Sequence, residues 1–200
     1  MSKKIALATG IRHKLEEVRA ILEPLGYEVL SSDDFGGLPD VEEDGLTFKE
    51  NALKKARVCA KAWNCTVLAD DTGLEVKALN GEPGVHSARY VAEHDFVANL
   101  KAVLEKMKGV ADRSARFVTV LALVSPDGTE KTAEGEVRGT MATEPHGEGG
   151  FGYDPAFIPE GYDKTFGELP AAVKNSMSHR ARALQNAIKA GIIEPEDDWA

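Results

Sequence analysis

Short apolar runs of strand length alternate along this chain with segments whose apolar residues recur at three- and four-residue spacing. Residues 5–8 form the first run, and Leu15, Val18 and Leu22 follow it at helical spacing. A strand, a tight turn and a helix make the unit from which α/β folds are built. A β-rich run at residues 116–124, closed by a Ser-Pro-Asp-Gly turn, also predicts a long hairpin. We therefore expect an α/β fold with a mixed sheet flanked by helices.

The remaining elements follow from the same spacing rules. Thr47, with Glu50 three positions later, is a capping-box pattern that predicts the start of a helix. Residues 66–69 predict a short strand that ends directly at Asp70 and Asp71. Those carboxylates are then expected at the C-terminal edge of a strand, where α/β proteins commonly bind ligands. The other predicted elements are a strand at residues 28–30, a helix through residues 96–107, an ordered glycine- and proline-rich loop at residues 145–159, and a last helix through residues 177–188.

The composition excludes several classes of protein. Hydrophobic residues make up 42% of the chain and charged residues 28%, which is typical of a globular domain with a buried core. The formal net charge of −9 disfavours a nucleic-acid polymer as partner, because such binding needs many Lys and Arg contacts on one face. No apolar stretch is long enough to cross a bilayer, and Cys59 and Cys65 are too few for a disulfide framework. We expect a cytoplasmic protein that binds no membrane.

The turn after the first strand carries groups that suit an anion. Thr9 and Gly10 end the strand, and Lys14 lies in the first turn of the following helix. A hydroxyl, free backbone N–H groups and an ammonium would meet a phosphate there. The Gly-Lys-[Ser/Thr] spacing of a P-loop is absent, and a plain helix entry is the alternative.

Two acidic clusters lie beside glycines. One is Asp70-Asp71, and the other includes Glu43 in a polar loop. Hard oxygen ligands of this kind are what Mg²⁺ accepts while it keeps several waters. Solvated loop charge is the alternative, but adjacent carboxylates directly after an apolar strand are costly unless a cation or donors offset them. The Asp70-Asp71 pair is therefore the stronger candidate for function.

The glycine-rich segment at residues 147–152 fits the Gly-x-Gly-x-x-Gly pattern, yet Pro155 discourages the helix that a dinucleotide site requires. A better interpretation is a loop whose backbone approaches a flat ligand, with Phe151 or Tyr153 as a π-face and Asp154 as a polar edge. A structural loop with core aromatics is equally compatible with the spacing.

Basic residues gather near the start of the last helix. Lys174 precedes it, and His179 and Arg180 open it. Positive charge at a helix start is disfavoured by the dipole, which indicates an anion or a base carbonyl opposite these side chains. Solvated charge is the simpler alternative.

Taken together, six ordered motifs resemble the Ham1/RdgB family of nucleoside-triphosphate pyrophosphatases over nearly the whole chain. They are Thr9-Gly10 with Lys14; residues 43–48 with Glu50-Asn51; residues 69–74; Pro83-Gly84 with residues 87–90; residues 149–155; and residues 178–180.

The resemblance implies a fold, an activity and a partner. It implies one domain over residues 1–200, with an elongated mixed sheet, two lobes and an active-site cleft between them; residues 194–200 are expected to fray. It implies Mg²⁺-dependent hydrolysis of the nucleotides ITP, dITP and XTP to the monophosphate and pyrophosphate, which cleanses the nucleotide pool. It also implies a homodimer.

The resemblance also assigns roles to residues. Asp71 would be the proton acceptor that activates water for attack on the α-phosphorus, with Asp70 beside it, and Glu43 and Asp71 would hold Mg²⁺. His179 and Arg180 would donate to the 6-oxo group of the base, which would reject adenine because its amino group is itself a donor. The resemblance also assigns Thr9, Gly10, Lys14 and Lys55 to the triphosphate, Phe151, Tyr153 and Asp154 to the base, and Lys174 to the base or a phosphate. The other residues assigned to substrate binding are Ile11, Arg12, His13, Thr72 and Gly152.

One position departs from the pattern of this family. Its phosphate turn normally reads Thr-[Gly/Thr]-Asn, and Ile11 stands where the asparagine belongs. The backbone N–H groups and Lys14 remain, so the difference predicts weaker phosphate binding or slower turnover. It also raises the alternative of a nucleotide-binding variant with weakened catalysis.

Overall fold

The structure, a computed structural model, describes residues 3–194 of the chain. Its strands and longer helices are β1 Lys3–Leu7, α1 Arg12–Leu22, β2 Tyr27–Leu30, α2 Phe48–Trp63, β3 Val67–Val76, α3 Phe96–Lys106, β4 Ser114–Val124, β5 Glu130–Met141, β6 Phe157–Pro159, α4 Ala171–Met177 and α5 His179–Lys189.

The six strands form one sheet in the order β2-β1-β3-β4-β5-β6. Strand β1 lies parallel to both β2 and β3, whereas β5 and β6 are antiparallel. Strands β4 and β5 are joined at a tight turn, in which the Gly128 N–H donates to the Ser125 carbonyl at 2.9 Å. The predicted mixed sheet with flanking helices is confirmed. Within residues 3–194, none of the helices has the length and apolar character needed to span a membrane.

The prediction that a strand ends at Asp70 is wrong, because β3 continues to Val76. Parallel pairing with β1 covers only Val67 and Leu68. Beyond that point β3 loses β1 as a partner but keeps β4 as its neighbour in the sheet, so the backbone stays extended. Asp70 and Asp71 therefore lie inside a strand, just past the end of its pairing with β1.

Two further boundaries differ from the predictions. Residues 157–159 of the expected loop form β6, because they pair with the end of β5. The last helix begins at His179 and not at Met177, because Ser178 adopts an extended conformation with ψ of 153° and separates α4 from α5.

The chain forms two compact units, and it passes from one to the other within β3, β4 and β5 and again at the start of α5. In the described part of the chain, unit 1 comprises residues up to 71, residues 119–135 and residues from 180 onward. Unit 2 comprises residues 72–118 and 136–179. The expectation of one two-lobed domain stays a prediction, and the expected frayed tail lies outside the described residues except for Glu194.

Each unit has its own apolar core. In unit 1, Leu22 from α1, Leu68 from β3 and Leu184 from α5 are fully buried in one cluster. In unit 2 the core is aromatic, with the rings of Phe117 and Phe157 4.6 Å apart. The two cores fix the strands and helices that carry the polar residues described below.

Helix α2 begins as the capping pattern predicted. The Thr47 hydroxyl accepts the Glu50 N–H at 3.1 Å. The Glu50 carboxylate accepts the N–H of Leu46 at 2.8 Å, one residue before the position that a capping box uses. The N–H groups of Leu46 and Glu50 at the helix start thus both have side-chain acceptors.

We expect Thr47→Ala to lower the free energy of unfolding by about 1 kcal/mol, because one N–H at the start of α2 loses its acceptor. Urea unfolding checks this, with Thr47→Ser as the control that keeps the hydroxyl. Equal stability of both variants and the parent would contradict the capping role.

Candidate active site

The first turn of the chain leaves the start of α1 open to an anion. The Thr9 hydroxyl accepts the N–H of Ile11 at 3.1 Å, which fixes the turn between β1 and α1. Ile11 is the N-cap residue and makes no side-chain capping bond, and the first turn of α1 contains no acidic residue. The positive end of the helix dipole is therefore not compensated from within the helix. Gly10 lies in this turn, and Arg12 and His13 begin the helix.

Lys14 points from α1 to the first of the two β3 carboxylates. Its Nζ atom lies 3.0 Å from Oδ2 of Asp70, whose side chain is only 2% exposed. Burial lowers the pKa of Lys14, and the positive charges of Arg180 and Lys55 lower it further, while Asp70 opposes the shift. The charged form of Lys14 is thus stabilised mainly by its carboxylate partner Asp70.

A second lysine lies in the same group of charges. Lys55 of α2 places Nζ 2.9 Å from Oε1 of Glu43, and both side chains are largely shielded from solvent. Burial alone would lower the pKa of Lys55, but the carboxylates of Asp70, Glu43 and Asp71 raise it above its ordinary value. Lys55 therefore stays cationic.

Burial makes the Asp71 carboxyl a weaker acid than an ordinary aspartate. Burial raises the pKa of Asp71 to about 6, and the negative charges of Glu43 and Asp70 add to that rise. Lys55 and a hydrogen bond from Asn51 act in the opposite direction. A carboxyl group with such a pKa gains or loses a proton close to neutral pH.

Asn51 is a site residue to which the sequence analysis gave no role. Its Nδ2 donates to Oδ2 of Asp71 at 3.2 Å, and its Oδ1 accepts the N–H of Gly45 at 2.7 Å. A Cβ at Gly45 would lie 2.6 Å from that same Oδ1, so only glycine fits there. A buried polar residue on the apolar face of α2 was the available signal.

Arg180 and Glu17 complete the charged group in unit 1. Both side chains are almost fully buried, and the Arg180 guanidinium donates to the Glu17 carboxylate. Nε of Arg180 also lies 3.6 Å from Oδ2 of Asp70. Glu17 was not among the predicted site residues, although it lies one helical turn after Lys14.

In unit 2, Asp154 organises the glycine-rich loop from inside. Its Oδ2 accepts the N–H of Phe151 at 2.6 Å and lies 2.5 Å from Nζ of Lys174. Gly150 has φ of +77°, and a Cβ there would lie 2.4 Å from this oxygen. The carboxylate therefore holds both the loop and the lysine, and both charged side chains are buried.

The remaining assigned residues of unit 2 occupy different environments. Phe151 is 37% exposed, and its ring lies 4.3 Å from that of Phe96. Tyr153 is buried and donates to the Ser87 carbonyl at 2.7 Å, and burial raises its pKa. The buried His179 ring stacks on Phe117 at 4.9 Å. The other two assigned residues are Gly152, with φ of +61°, and the half-buried Thr72 in β3.

The carboxylates that could hold a metal are Asp70, Asp71 and Glu43. Among residues 3–194, no group of three or more His, Cys, Asp or Glu side chains has the arrangement of a closed metal site. Mg²⁺ is usually held by one or two carboxylates together with waters and substrate phosphates. The negative charge of Glu43 raises the pKa of Asp71, because it disfavours a second negative charge nearby. A cation beside the two carboxylates would therefore be favourable.

An open helix start beside largely shielded lysines and carboxylates is a site suited to a small phosphorylated ligand. The sequence model of the Ham1 family matches residues 5–190 of the chain. The chain belongs to the Ham1 family.

Individual relatives agree with this assignment over almost the full length. The dITP/XTP pyrophosphatase of Bacillus subtilis is 48% identical over 190 residues, which cover 94% of this chain and 96% of the relative. The protein of the same name from Desulforamulus reducens is 47% identical over 189 residues, or 93% and 94% of the two chains.

Solved structures of the family have the same fold. The Staphylococcus aureus Ham1 protein is 42% identical with a TM-score of 0.85, and the match covers 96% of this chain and 100% of that one. A HAM1 protein from Coxiella burnetii is 37% identical with a TM-score of 0.87, covering 95% and 98%.

We expect Asn51→Leu to raise the pKa of Asp71 by about one unit, because the substitution removes a hydrogen bond that favours the ionised carboxylate. An NMR titration of the Asp71 carboxyl carbon in metal-free protein measures the shift. Asn186→Leu is the control: the same substitution there removes a hydrogen bond to the Glu134 carbonyl, which does not involve Asp71. An unchanged pKa in Asn51→Leu would show that the bond has no such effect.

Proposed function

We propose that this chain hydrolyses non-standard purine nucleoside triphosphates, dITP and XTP among them, to the monophosphate and pyrophosphate. It is a hydrolase of nucleotide metabolism, as are the relatives named dITP/XTP pyrophosphatase. The observation that carries the chemistry is the group in unit 1 where Asp70 and Asp71 lie among two largely shielded lysines and Glu43. This activity would remove non-standard purine nucleotides from the nucleotide pool.

The phosphate side of the proposal rests on α1 and α2. Lys14 and Lys55 would bind the triphosphate, together with the N–H groups at the start of α1 and the residues of the turn from Thr9 to His13. Both lysines are held in place by carboxylates before a substrate arrives. An incoming phosphate would then replace carboxylate oxygens as their partner, so little reorganisation is needed.

Asp71 and Glu43 would hold Mg²⁺, with Asp70 as a neighbouring ligand or orienting group. The ion would neutralise charge on the phosphates and on the departing pyrophosphate. Two carboxylates fit an ion that takes its other ligands from phosphate and water.

Asp71 would accept the proton of the water that attacks the α-phosphorus. In the metal-free protein burial raises the pKa of Asp71 to about 6, so its carboxylate is a better proton acceptor than that of an ordinary Asp. Asn51 would orient the carboxylate through its hydrogen bond to Oδ2. Thr72, the next residue in β3, would add a hydroxyl.

The base side of the proposal rests mainly on residues of unit 2, and Arg180 of unit 1 is the exception. Phe151 would stack on the purine, because its ring is the partly exposed one in the loop. Asp154 would fix the loop and Lys174, and the lysine would reach the base or a phosphate. Gly152 and Tyr153 would shape the pocket. His179 and Arg180 would donate to the 6-oxo group.

Ile11 does not favour the alternative of a binding protein with weakened catalysis. The turn forms through the Thr9 hydroxyl and the Ile11 N–H, and α1 starts at the next residue. No observation within residues 3–194 supports that alternative. A homodimer, a cytoplasmic location, and a two-lobed domain with a cleft remain part of the proposal.

The proposed reaction predicts pyrophosphate as the primary product. A panel of ITP, dITP, XTP, ATP and GTP, each with and without Mg²⁺, should show pyrophosphate release from the first three and little from the last two. Orthophosphate as the first product would contradict the proposal, and so would full activity in EDTA.

We expect Asp71→Asn to lower kcat about 10³-fold, which is the usual scale for loss of a general base. Nucleotide binding should persist, because the lysines and the start of α1 remain. Single-turnover kinetics with dITP and calorimetry of nucleotide binding separate the two effects. A variant that keeps its kcat would exclude Asp71 as the proton acceptor.

The pKa of Asp71 also predicts how metal affinity depends on pH. A cation must displace the proton from Asp71, so affinity should fall about tenfold per unit below pH 6 and level off above it. Water-proton relaxation with Mn²⁺ as the probe ion measures this. Asp44→Asn, at an exposed carboxylate paired with Lys54, should keep the profile, whereas Asp71→Asn should abolish it. A flat profile in the parent protein would be evidence against Asp71 as a ligand.

A further inference from the structure

Glu17 is a buried carboxylate to which the proposed reaction gives no task. It lies on α1 with 7% of its surface exposed, among residues that otherwise bury apolar groups such as Val18 and Leu22. A buried glutamate is costly unless it is paired, so its partner indicates its purpose. That partner is Arg180, which is 6% exposed.

The contacts of Arg180 connect Glu17 to the β3 carboxylates. Nη1 of Arg180 donates to Oε2 of Glu17, and Nε lies 3.6 Å from Oδ2 of Asp70. The same Oδ2 atom lies 3.0 Å from Nζ of Lys14. Nε2 of His13 also faces Glu17, at 3.8 Å from Oε2. Charges of alternating sign thus run from Glu17 through Arg180 and Asp70 to Lys14.

We propose that Glu17 is a positioning residue of the phosphate side: it holds the Arg180 guanidinium at a fixed distance from Asp70, so that Asp70 remains the partner of Lys14. Without Glu17, the guanidinium would be free to form a bidentate pair with Asp70 and draw that carboxylate away from the lysine. This role rests on the proposed function, in which Lys14 binds the triphosphate.

Stability alone does not account for this arrangement. Buried ion pairs are often no more stabilising than apolar side chains of the same size, because desolvation offsets the attraction. Four charged side chains in one row are better explained by the geometry they impose.

The sign of the charge makes the proposal testable. Glu17→Gln removes a negative charge next to a site for an anion, so electrostatics alone predicts tighter binding of phosphate compounds. The positioning role predicts weaker binding, because Asp70 moves towards Arg180 and Lys14 loses the carboxylate that holds it in place. Inorganic pyrophosphate in metal-free buffer is the probe: its affinity should fall in Glu17→Gln, and an unchanged or higher affinity would overturn the proposal.

A double-mutant cycle tests whether Glu17 acts through Arg180. We expect Glu17→Gln to lower kcat/KM for dITP and XTP about tenfold, within the range for small misplacements of binding groups. In an Arg180→Gln background, Glu17→Gln should then cause no further loss. If the losses of the two single variants multiply in the double variant, Glu17 does not act through Arg180 and the proposal is contradicted. Parent-like activity of Glu17→Gln alone would also contradict it.

Controls keep the outcomes separate. Glu23→Gln removes the carboxylate of an exposed ion pair with Arg19, next to α1, and should leave activity unchanged. If Glu17→Gln unfolds below the assay temperature, Glu17→Asp keeps the charge and withdraws it by one methylene; it should lower kcat/KM in the same direction, and full activity would overturn the proposal. A parent protein that releases no pyrophosphate would instead refute the proposed function itself.

Discussion

The arrangement of unit 1 depends on two neighbouring carboxylates held inside a strand. Asp70 is almost fully buried and Asp71 is largely shielded, and burial disfavours the charge on both. Lys14 and Lys55 come from different helices to offset that charge. The start of α1 and the middle of α2 are therefore held near β3 by charge as well as by apolar packing. The same contacts keep the ammonium groups in place for a triphosphate.

The polar residues of the candidate site are distributed over both units. Unit 1 carries the carboxylates, the lysines and the open start of α1, which suit phosphates and a metal ion. Unit 2 carries the glycine-rich loop, in which Asp154 holds the Phe151 N–H and the Lys174 ammonium. Each unit uses a buried carboxylate to fix a lysine ammonium, and Asp154 in unit 2 also fixes a backbone donor. Pre-ordering of this kind lowers the cost of binding, because the donors do not have to be ordered by the ligand.

Much of the fold was predictable from spacing, whereas most of the candidate site residues were assigned by the resemblance to a family and stay predictions. The helix periodicity and the cap at Thr47 predicted α1 and α2, and the motifs identified the family. The extension of β3 through Asp71 was missed, because local patterns do not show that β4 remains its partner after β1 ends. Asn51 and Glu17 were also missed as site residues, because their roles depend on Asp71 and Arg180, which lie 20 and 163 residues away along the chain.

The central claim is that water activated beside Asp71 attacks the α-phosphorus of a nucleoside triphosphate. Hydrolysis of dITP in H₂¹⁸O, followed by mass spectrometry of both products from a single turnover, tests it most directly. We predict one ¹⁸O atom in the monophosphate and none in the pyrophosphate. Label in the pyrophosphate would place the attack on the β-phosphorus and contradict the account.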